Sequence, residues 1–368
     1  FAVGTPAMRS NVINYAEARP ISRLTFESWT QRMRPRFGDL LLAREAPVGP
    51  VVRIPREENV APGQRTVLLR PDGKVVDGAY LYYLLTSRPV QEGLQMYAEG
   101  STVPHLNVAD IRTFPLRRPP SLSEQRAIVG VLGALDDKIA SNSALAKTAD
   151  ELALALFSES VRGVEVSDRT FDDVASVGGG GTPSSKVAEY WGGDISWATP
   201  TDVTALEGPY LFDTERRISE VGLANCSSPL YPAGSILMTS RATIGAFALA
   251  QEATAVNQGF IVVVAGGDVP AMWLFHEMRS RVPEFTSMAN GATFLELSRG
   301  NFKKFGVRLA DPAVMTRFDE QATALHDRAA AALKENARLK ATRDALLPGL
   351  MSGTLRVRDA ERVAEEVA

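Results

Sequence analysis

Between Ser121 and Arg162, apolar and small residues recur in alternating steps of four and three: Ile128, Leu132, Leu135, Ile139, Asn142, Ala146, Ala149, Ala153, Leu156. This spacing predicts a heptad seam along one long helix. Pro119 and Pro120 stop whatever precedes it, Ser121 and Glu124 have the spacing of a capping box, and Gly163 is a natural stop. A helix of about 40 residues is roughly 60 Å long, more than a globular core needs, and so narrow a stripe calls for a partner helix. A second such pattern opens at Asp311-Pro312, an N-cap with proline at the first helical position. Its seam is Leu325, Ala329, Ala332, Asn336, Leu339, Arg343, Leu346, Leu350. Pro348-Gly349 interrupts it late, so the last turn is expected to kink or end there. Asn142 and Asn336 are mates at an offset of 194. An Asn at a seam position can fix register; the two either face one another across an antiparallel pair or stand exposed on slightly rotated helices, and the second reading is the plainer one.

The strand-like patterns repeat as well. Gly38-Asp-Leu-Leu-Leu-Ala-Arg-Glu-Ala-Pro-Val-Gly49 matches Gly234-Ser-Ile-Leu-Met-Thr-Ser-Arg-Ala-Thr-Ile-Gly245 at a constant offset of 196. The runs around Gln64 and Gln258 form a second pair, and Gly100–Asn107 with Gly291–Ser298 a third, containing Thr102 and Thr293. Helix-like stretches, Ala79–Tyr97 and Ala271–Ala289, lie between the second and third pairs, and strand-like Phe114–Leu116 and Phe305–Val307 follow. Matches at nearly one offset point to a duplication of roughly 195 residues.

The pattern implies an α+β chain: two repeated mixed α/β domains separated by a long antiparallel two-helix coiled coil, with pseudo-two-fold symmetry. The expected boundaries are 1–118 for the first globular unit, 119–163 for the central helix, 164–310 for the second unit, 311–355 for the C-terminal helix and 356–368 for a tail. Ile21-Ser22 aligns with Ile218-Ser219, so the second unit's opening, with Gly181-Thr182-Pro183 and Tyr190-Trp191-Gly192-Gly193, has no counterpart. On that ground the first unit is expected to lack roughly 25–30 N-terminal residues.

Composition narrows the function. At 368 residues two or three domains are the prior. The lone Cys226 excludes an internal disulfide and fits a reducing, cytoplasmic setting. No apolar run approaches a membrane span, so no membrane partner is expected. The net charge of -3 gives no global sign of nucleic acid, but it is unevenly placed. Residues 1–118 hold 16 Lys+Arg against 11 Asp+Glu, and residues 171–310 hold 10 against 14. A basic surplus of that kind can be a footprint for phosphates. Enzymatic constellations are missing. The Gly178–Gly181 run lacks the Gly-Lys-Ser/Thr of a phosphate loop. His105, His276 and His326 have no second ligand at metal spacing, and His276 reads as a packing residue. Neither a catalytic set nor a metal site is expected.

Taken together, GTPSSKVAEYWGGDISWATPTDV (181–203), GSILMTSRATIG (234–245), AVNQGF (255–260), GATFLELS (291–298) and LSEQRAIVGVLGALDDKI (122–139) resemble the specificity subunit of type I restriction-modification enzymes. The resemblance implies that the globular units are target-recognition domains, each reading half of a bipartite duplex DNA target. It also implies that the helix pair is a ruler fixing the unread gap, on which two methyltransferase subunits dock and to which restriction subunits add. No cofactor is then expected in this chain; S-adenosylmethionine, ATP and Mg belong to the partner subunits.

Candidate DNA-facing residues are Arg44, Arg53, Arg56, Arg65 and Arg112 in the first unit, and Thr182, Ser184, Ser185, Lys186, Ser240, Arg241 and Thr243 in the second. Arginines suit phosphates and guanine edges, and the hydroxyls suit either. Trp191 and Trp197 read as core. Asp136, Asp137, Lys138 and Glu151, outside the seam, are candidate docking positions for methyltransferase subunits. The alternative readings are a helical scaffold or assembly protein with protein-binding ends, and a specificity subunit of a related phage-defence modification system.

Overall fold

A computed structural model describes residues 1–9, 11–56, 59–98, 104–289 and 295–367. It divides into two compact units, residues 1–139 with 338–368, and residues 140–337. The long helices form no unit of their own, because each packs along its length against the globular part beside it.

Both long helices have the starts and stops their sequences encode. Leu122–Ser160 begins after Ser121, whose hydroxyl accepts from the Glu124 amide at 3.3 Å. It ends before Gly163, at φ +74° in the left-handed region that favours glycine. Pro312–Ser352 opens with proline at its first position, and the Asp311 carboxylate accepts from the Ala313 amide at 2.9 Å. Contrary to the sequence expectation, the helix does not end at Pro348-Gly349. Proline removes one N–H, but Leu350 and Met351 one turn later are buried in the apolar cluster of the first unit, and that burial carries the helix on.

In the first unit, Ile128, Val131, Leu132 and Leu135 pack with Leu339, Leu346 and Leu350, and Tyr80, Tyr83 and Leu84 close the cluster. Ile139 lies half-buried at its edge. In the second unit the seam changes character: Ala146, Ala149 and Ala153 meet Ala322, Ala329 and Ala330. The space is filled by Phe157, Trp273, Phe275 and Phe318, each fully or almost fully buried. Leu156 and Leu325 are only partly buried here; Phe157 and His326, one residue on, take the inner positions. In both units the helices run antiparallel, from Asp136 against Arg343 in the first and from Ser143 against Asn336 in the second.

The duplication holds to the level of register. In the first unit, Leu40–Arg44 is the middle strand between Val48–Arg53 and Thr66–Leu69, and Leu41 pairs with Val52 and Leu68. In the second, Ile236–Thr239 lies between Phe247–Ala250 and Phe260–Ala265, and Leu237 pairs with Ala248 and Val262. Two further strands, Ala175–Gly178 and Tyr210–Leu211, extend the second sheet to five. Ala46 and its mate Ala242 both have positive φ, +50° and +59°, so even this unusual turn conformation is shared.

Two sequence expectations change. The helix-like stretches each split, at Ser87 into Gly78–Thr86 and Arg88–Ala98, and at Arg281 into Ala271–Ser280 and Val282–Ser287. Pro89 and Pro283 cannot continue the preceding helix and instead start the next. Phe114–Leu116 forms no strand, whereas its mate region contributes Gly306–Arg308, paired with Val166–Thr170. Pro115 removes a ladder donor, and no strand corresponding to Val166–Thr170 stands beside it among the described residues.

Candidate nucleic-acid interface

In each unit the end of the middle strand is held the same way. The Arg44 amide donates to the Arg65 carbonyl at 2.9 Å, and the Leu106 amide donates to the Arg44 carbonyl at 2.8 Å. In the second unit the Ser240 amide donates to the Gly259 carbonyl at 2.8 Å, and the Leu297 amide to the Ser240 carbonyl at 3.0 Å. Three chain segments distant in sequence thus converge on one tight turn. This convergence explains why those three stretches recur. The third stretch lies partly outside the described residues, Thr102 and Thr293 included.

The turn presents polar groups to solvent on a fixed backbone. In the second unit Arg241 is exposed and paired with Glu296 at 2.8 Å, and Thr243 is exposed beside it. The Thr182 hydroxyl donates to Gln258 Oε1 at 2.7 Å, which brings the Gly181-Thr182-Pro183 loop to the same edge. Ser184, Ser185 and Lys186 follow, all exposed, with the Ser184 carbonyl accepting from Trp191 Nε1 at 3.2 Å. Ser240 is buried, so its hydroxyl is not offered to a ligand, and its backbone is what holds the turn.

In the first unit the charges are exchanged. Glu45 stands where the second unit has Arg241, and it pairs with Arg65 at 3.1 Å. Arg44 is half-buried, and its guanidinium donates to the Leu106 carbonyl at 3.2 Å, which makes it a brace for the turn. Arg53 and Arg56 are exposed at the opposite end of the sheet, 4.8 Å over the Tyr82 ring and 4.6 Å over the Phe37 ring. Arg112 is exposed in the short helix Val108–Thr113. In the first unit the predicted residues therefore divide between the two ends of the sheet, Arg44 and Arg65 at one and Arg53 and Arg56 at the other, whereas those of the second unit gather at one edge. Sequence reasoning passed over Arg32, Arg34 and Arg36, exposed at the same end as Arg56; their alternate spacing was the available signal.

The glycine run is architectural. A Cβ on Gly180 would lie 1.9 Å from the Val256 carbonyl oxygen, and one on Gly178 would lie 2.1 Å from the Tyr231 hydroxyl. The run lets this segment lie directly on the sheet. Of the tryptophans, Trp197 is buried, while Trp191 is half-buried with the Arg216 guanidinium 3.5 Å over its ring.

His276 and His326 meet, although they share no common spacing in the sequence. His276 Nε2 and His326 Nε2 are 2.9 Å apart, and His326 Nδ1 is 2.6 Å from the Tyr210 hydroxyl. Burial pushes both imidazoles far down, His276 to about 3 and His326 to about 4. A phenol donating to His326 Nδ1 leaves His326 Nε2–H to donate to His276, and both rings are satisfied in the neutral state except at His276 Nδ1. The pair is a buried joint between helices, and no group of three or more metal-ligating side chains occurs among the described residues.

On the helices, Asn142 and Asn336 are both buried, so they are not the exposed pair the plainer sequence reading gives. Asn142 Nδ2 donates to Glu335 at 2.8 Å, and Asn336 Nδ2 donates to Ser143 at 3.0 Å. Each asparagine reaches the other's neighbour, because antiparallel seams interleave and do not stack residue on residue. Asp136 is also not a free docking group: it accepts from Arg343 at 2.8 Å and from the Tyr83 hydroxyl at 2.6 Å. Asp137, Lys138 and Glu151 are exposed, with Glu151 3.8 Å from Lys147.

The sequence model of the family described as type I restriction modification DNA specificity domain matches residues 29–149 and again 163–313. The MjaIX specificity subunit of Methanocaldococcus jannaschii, a type I restriction enzyme, is 35% identical over 157 residues, which is 40% of this chain and 36% of that protein. The chain therefore spans about a third of that relative's length. The HindI specificity subunit of Haemophilus influenzae is 20% identical over 378 aligned positions, 81% of this chain and 82% of that protein. Among solved structures, the type I restriction-modification S subunit from M. genitalium superposes with a TM-score of 0.58 at 17% identity, covering 87% of this chain and 84% of that one. That likeness concerns the fold. The two matches of the family model fall on the two halves of the duplication, and the chain belongs to the type I restriction-modification DNA specificity domain family.

Proposed function

We propose that this chain is the DNA-recognition subunit of a type I restriction-modification complex. Each globular unit reads one half-site of a bipartite duplex, and an unread gap of fixed length separates the half-sites. Two methyltransferase subunits dock on the helix pair, restriction subunits join that assembly, and S-adenosylmethionine, ATP and Mg serve those partners in the cytoplasm. The chain itself contributes binding without catalysis.

The observation that carries this reading is the turn built twice at one register. Matching backbone hydrogen bonds and a matching positive φ, at Ala46 and Ala242, frame it in both units while its exposed side chains differ, with Glu45 and Arg65 in one and Arg241 and Glu296 in the other. A shared frame with different side chains is what two readers of different base sequences require, since base edges are read by side-chain donors and acceptors. Two weak half-site contacts on one chain also gain affinity from being linked.

The acidic balance of residues 171–310 favours a second reading, in which the ends bind protein. Binding of labelled duplexes by the chain assembled with methyltransferase subunits separates the two. Recognition requires affinity that falls steeply with salt and depends on sequence in two blocks. Duplex binding that is absent, or indifferent to sequence, supports the protein-binding reading.

A further inference from the structure

The first unit holds more positive charge than its own carboxylates use, and the excess is concentrated before its middle strand. In Gln31-Arg-Met-Arg-Pro-Arg-Phe37, Arg32, Arg34 and Arg36 are exposed while Met33 and Pro35 are half-buried. The alternation puts the three arginines on the exposed side of a segment that is neither helix nor strand; along extended backbone, alternate residues are about 6–7 Å apart. That is roughly the axial rise of two base pairs at about 3.4 Å each.

The fold fixes this strip without neutralising it. The buried Asp39 carboxylate is taken by Arg70, at 2.9 and 2.6 Å, and Arg70 also donates to the Arg34 carbonyl at 2.8 Å. The Arg36 amide donates to Asp39 Oδ2 at 3.0 Å, while its guanidinium, exposed, stays 3.9 Å from that carboxylate, at the outer limit of an ion pair. The Arg34 guanidinium lies 5.4 Å over the Phe26 ring, and Arg56 lies 4.6 Å over Phe37, next to the strip. Ring faces hold a guanidinium in place but leave its charge and most of its donors available. Glu57 and Glu58 are outside the described residues, so the inference stands on Arg32, Arg34 and Arg36.

The second unit has nothing equivalent. At an offset of 196, Ser228, Leu230 and Pro232 replace the three arginines, and Glu252 replaces Arg56. The strip is therefore no part of the duplicated scaffold. It also lies at the start of Leu40–Arg44, the opposite end from the turn at residues 45–47. A five-residue strand separates the two ends by about 17 Å, so the strip and the turn cannot meet the same base pairs.

We propose that Arg32, Arg34 and Arg36 grip the phosphates of one duplex strand outside the base pairs met by the first unit's turn, and that the two units therefore contribute unequal electrostatic shares to binding. This rests on the duplex-recognition reading above. The first unit anchors through counterion release, and the second depends more on direct contacts to its half-site. The test uses the full chain assembled with methyltransferase subunits, titrated onto a labelled duplex carrying its target at several salt concentrations. In R32A/R34A/R36A the slope of log affinity against log salt becomes shallower by about 2–3, near 0.9 per phosphate contact, while the preferred bases stay the same. The lysine triple R32K/R34K/R36K keeps most of the slope and controls for folding. An unchanged slope in the alanine triple overturns the proposal. So does loss of methyltransferase assembly at an unchanged slope, which assigns the strip to a protein partner. Absence of salt-dependent duplex binding by the wild-type assembly overturns the recognition reading itself, before any variant is made, and the strip with it.

Discussion

Asp136 and Arg343 meet across the helix pair of the first unit at 2.8 Å, and the second oxygen of the same carboxylate accepts from the Tyr83 hydroxyl at 2.6 Å. One acidic side chain thus ties both long helices to the helix Gly78–Thr86. Both members of the ion pair are mostly buried, with side-chain exposures of 17% and 29%. Removing Asp136 leaves Arg343 with only the outer Asp344, also at 2.8 Å. Asp136→Ala is expected to destabilise the chain by about 1–3 kcal/mol, and Tyr83→Phe by about 1 kcal/mol. Chemical denaturation of the two single variants and the double variant checks this. Costs that simply add contradict a shared network.

The seam is leucine-rich in one unit and alanine-rich in the other, and the two parts should respond oppositely to size. Leu339 is fully buried, so Leu339→Ala opens a cavity and costs roughly 2–5 kcal/mol. Ala153 is equally buried and faces the aromatic cluster of Phe157, Trp273 and Phe318. Ala153→Leu overpacks that space and is expected to cost about 1–3 kcal/mol. Thermal unfolding of each variant is the measurement. Tolerance of leucine at 153 would mean the helices are less closely packed there than described.

The histidine pair gives the chain an acid sensitivity with a definite sign. Both folded values lie below the ordinary histidine value, about 3 for His276 and about 4 for His326, because burial disfavours the charged ring. Below about pH 6.5 the unfolded chain binds protons that the folded chain does not. The neutral pair's contribution is therefore fully present above that pH. It is lost as pH falls toward 4, at up to about 1.4 kcal/mol per pH unit for each ring. His326→Phe is expected to flatten this acid limb between pH 6.5 and 4.5, whatever it does to stability at pH 7.5. An unaltered slope of unfolding free energy against pH would show that other groups set it.

Glycines of two kinds can be separated by one substitution each. Gly180→Ala places a methyl 1.9 Å from a carbonyl oxygen and is expected to cost at least about 2 kcal/mol and to dislodge the Thr182–Lys186 loop. Gly133 sits in the first long helix with open space at its Cβ position. Gly133→Ala is expected to stabilise by about 0.5–1 kcal/mol through helix propensity. Differential scanning calorimetry on both variants reads the contrast.

The long helices and the duplicated strands were legible because their signals are local: a heptad period, caps, and glycines at fixed offsets. Leu41 and Leu237 could be matched from sequence, and their ladders then proved identical in register. What sequence did not yield was long-range pairing. Nothing in the spacing of His276 and His326 brings them to 2.9 Å; the antiparallel return of the second long helix does. Asp136 looked like a surface acid because Tyr83 lies 53 residues away. Among the candidate DNA-facing residues, Arg44 and Ser240 were drawn from a loop in which their backbone holds the turn, and burial separates them from Arg241 and Thr243. Arg32, Arg34 and Arg36 carried a visible alternation, but only the structure shows that the nearby Asp39 is buried and held at short range by the Arg70 guanidinium.

The central claim is that two recognition units on one chain read two half-sites. It is tested most directly by expressing the chain with methyltransferase subunits in cells free of other adenine and cytosine methylation and sequencing the modified bases genome-wide. The expected result is one methylated motif made of two short specified blocks separated by a constant number of unspecified base pairs. A single uninterrupted motif, a gap that varies from site to site, or methylation without sequence preference would contradict it.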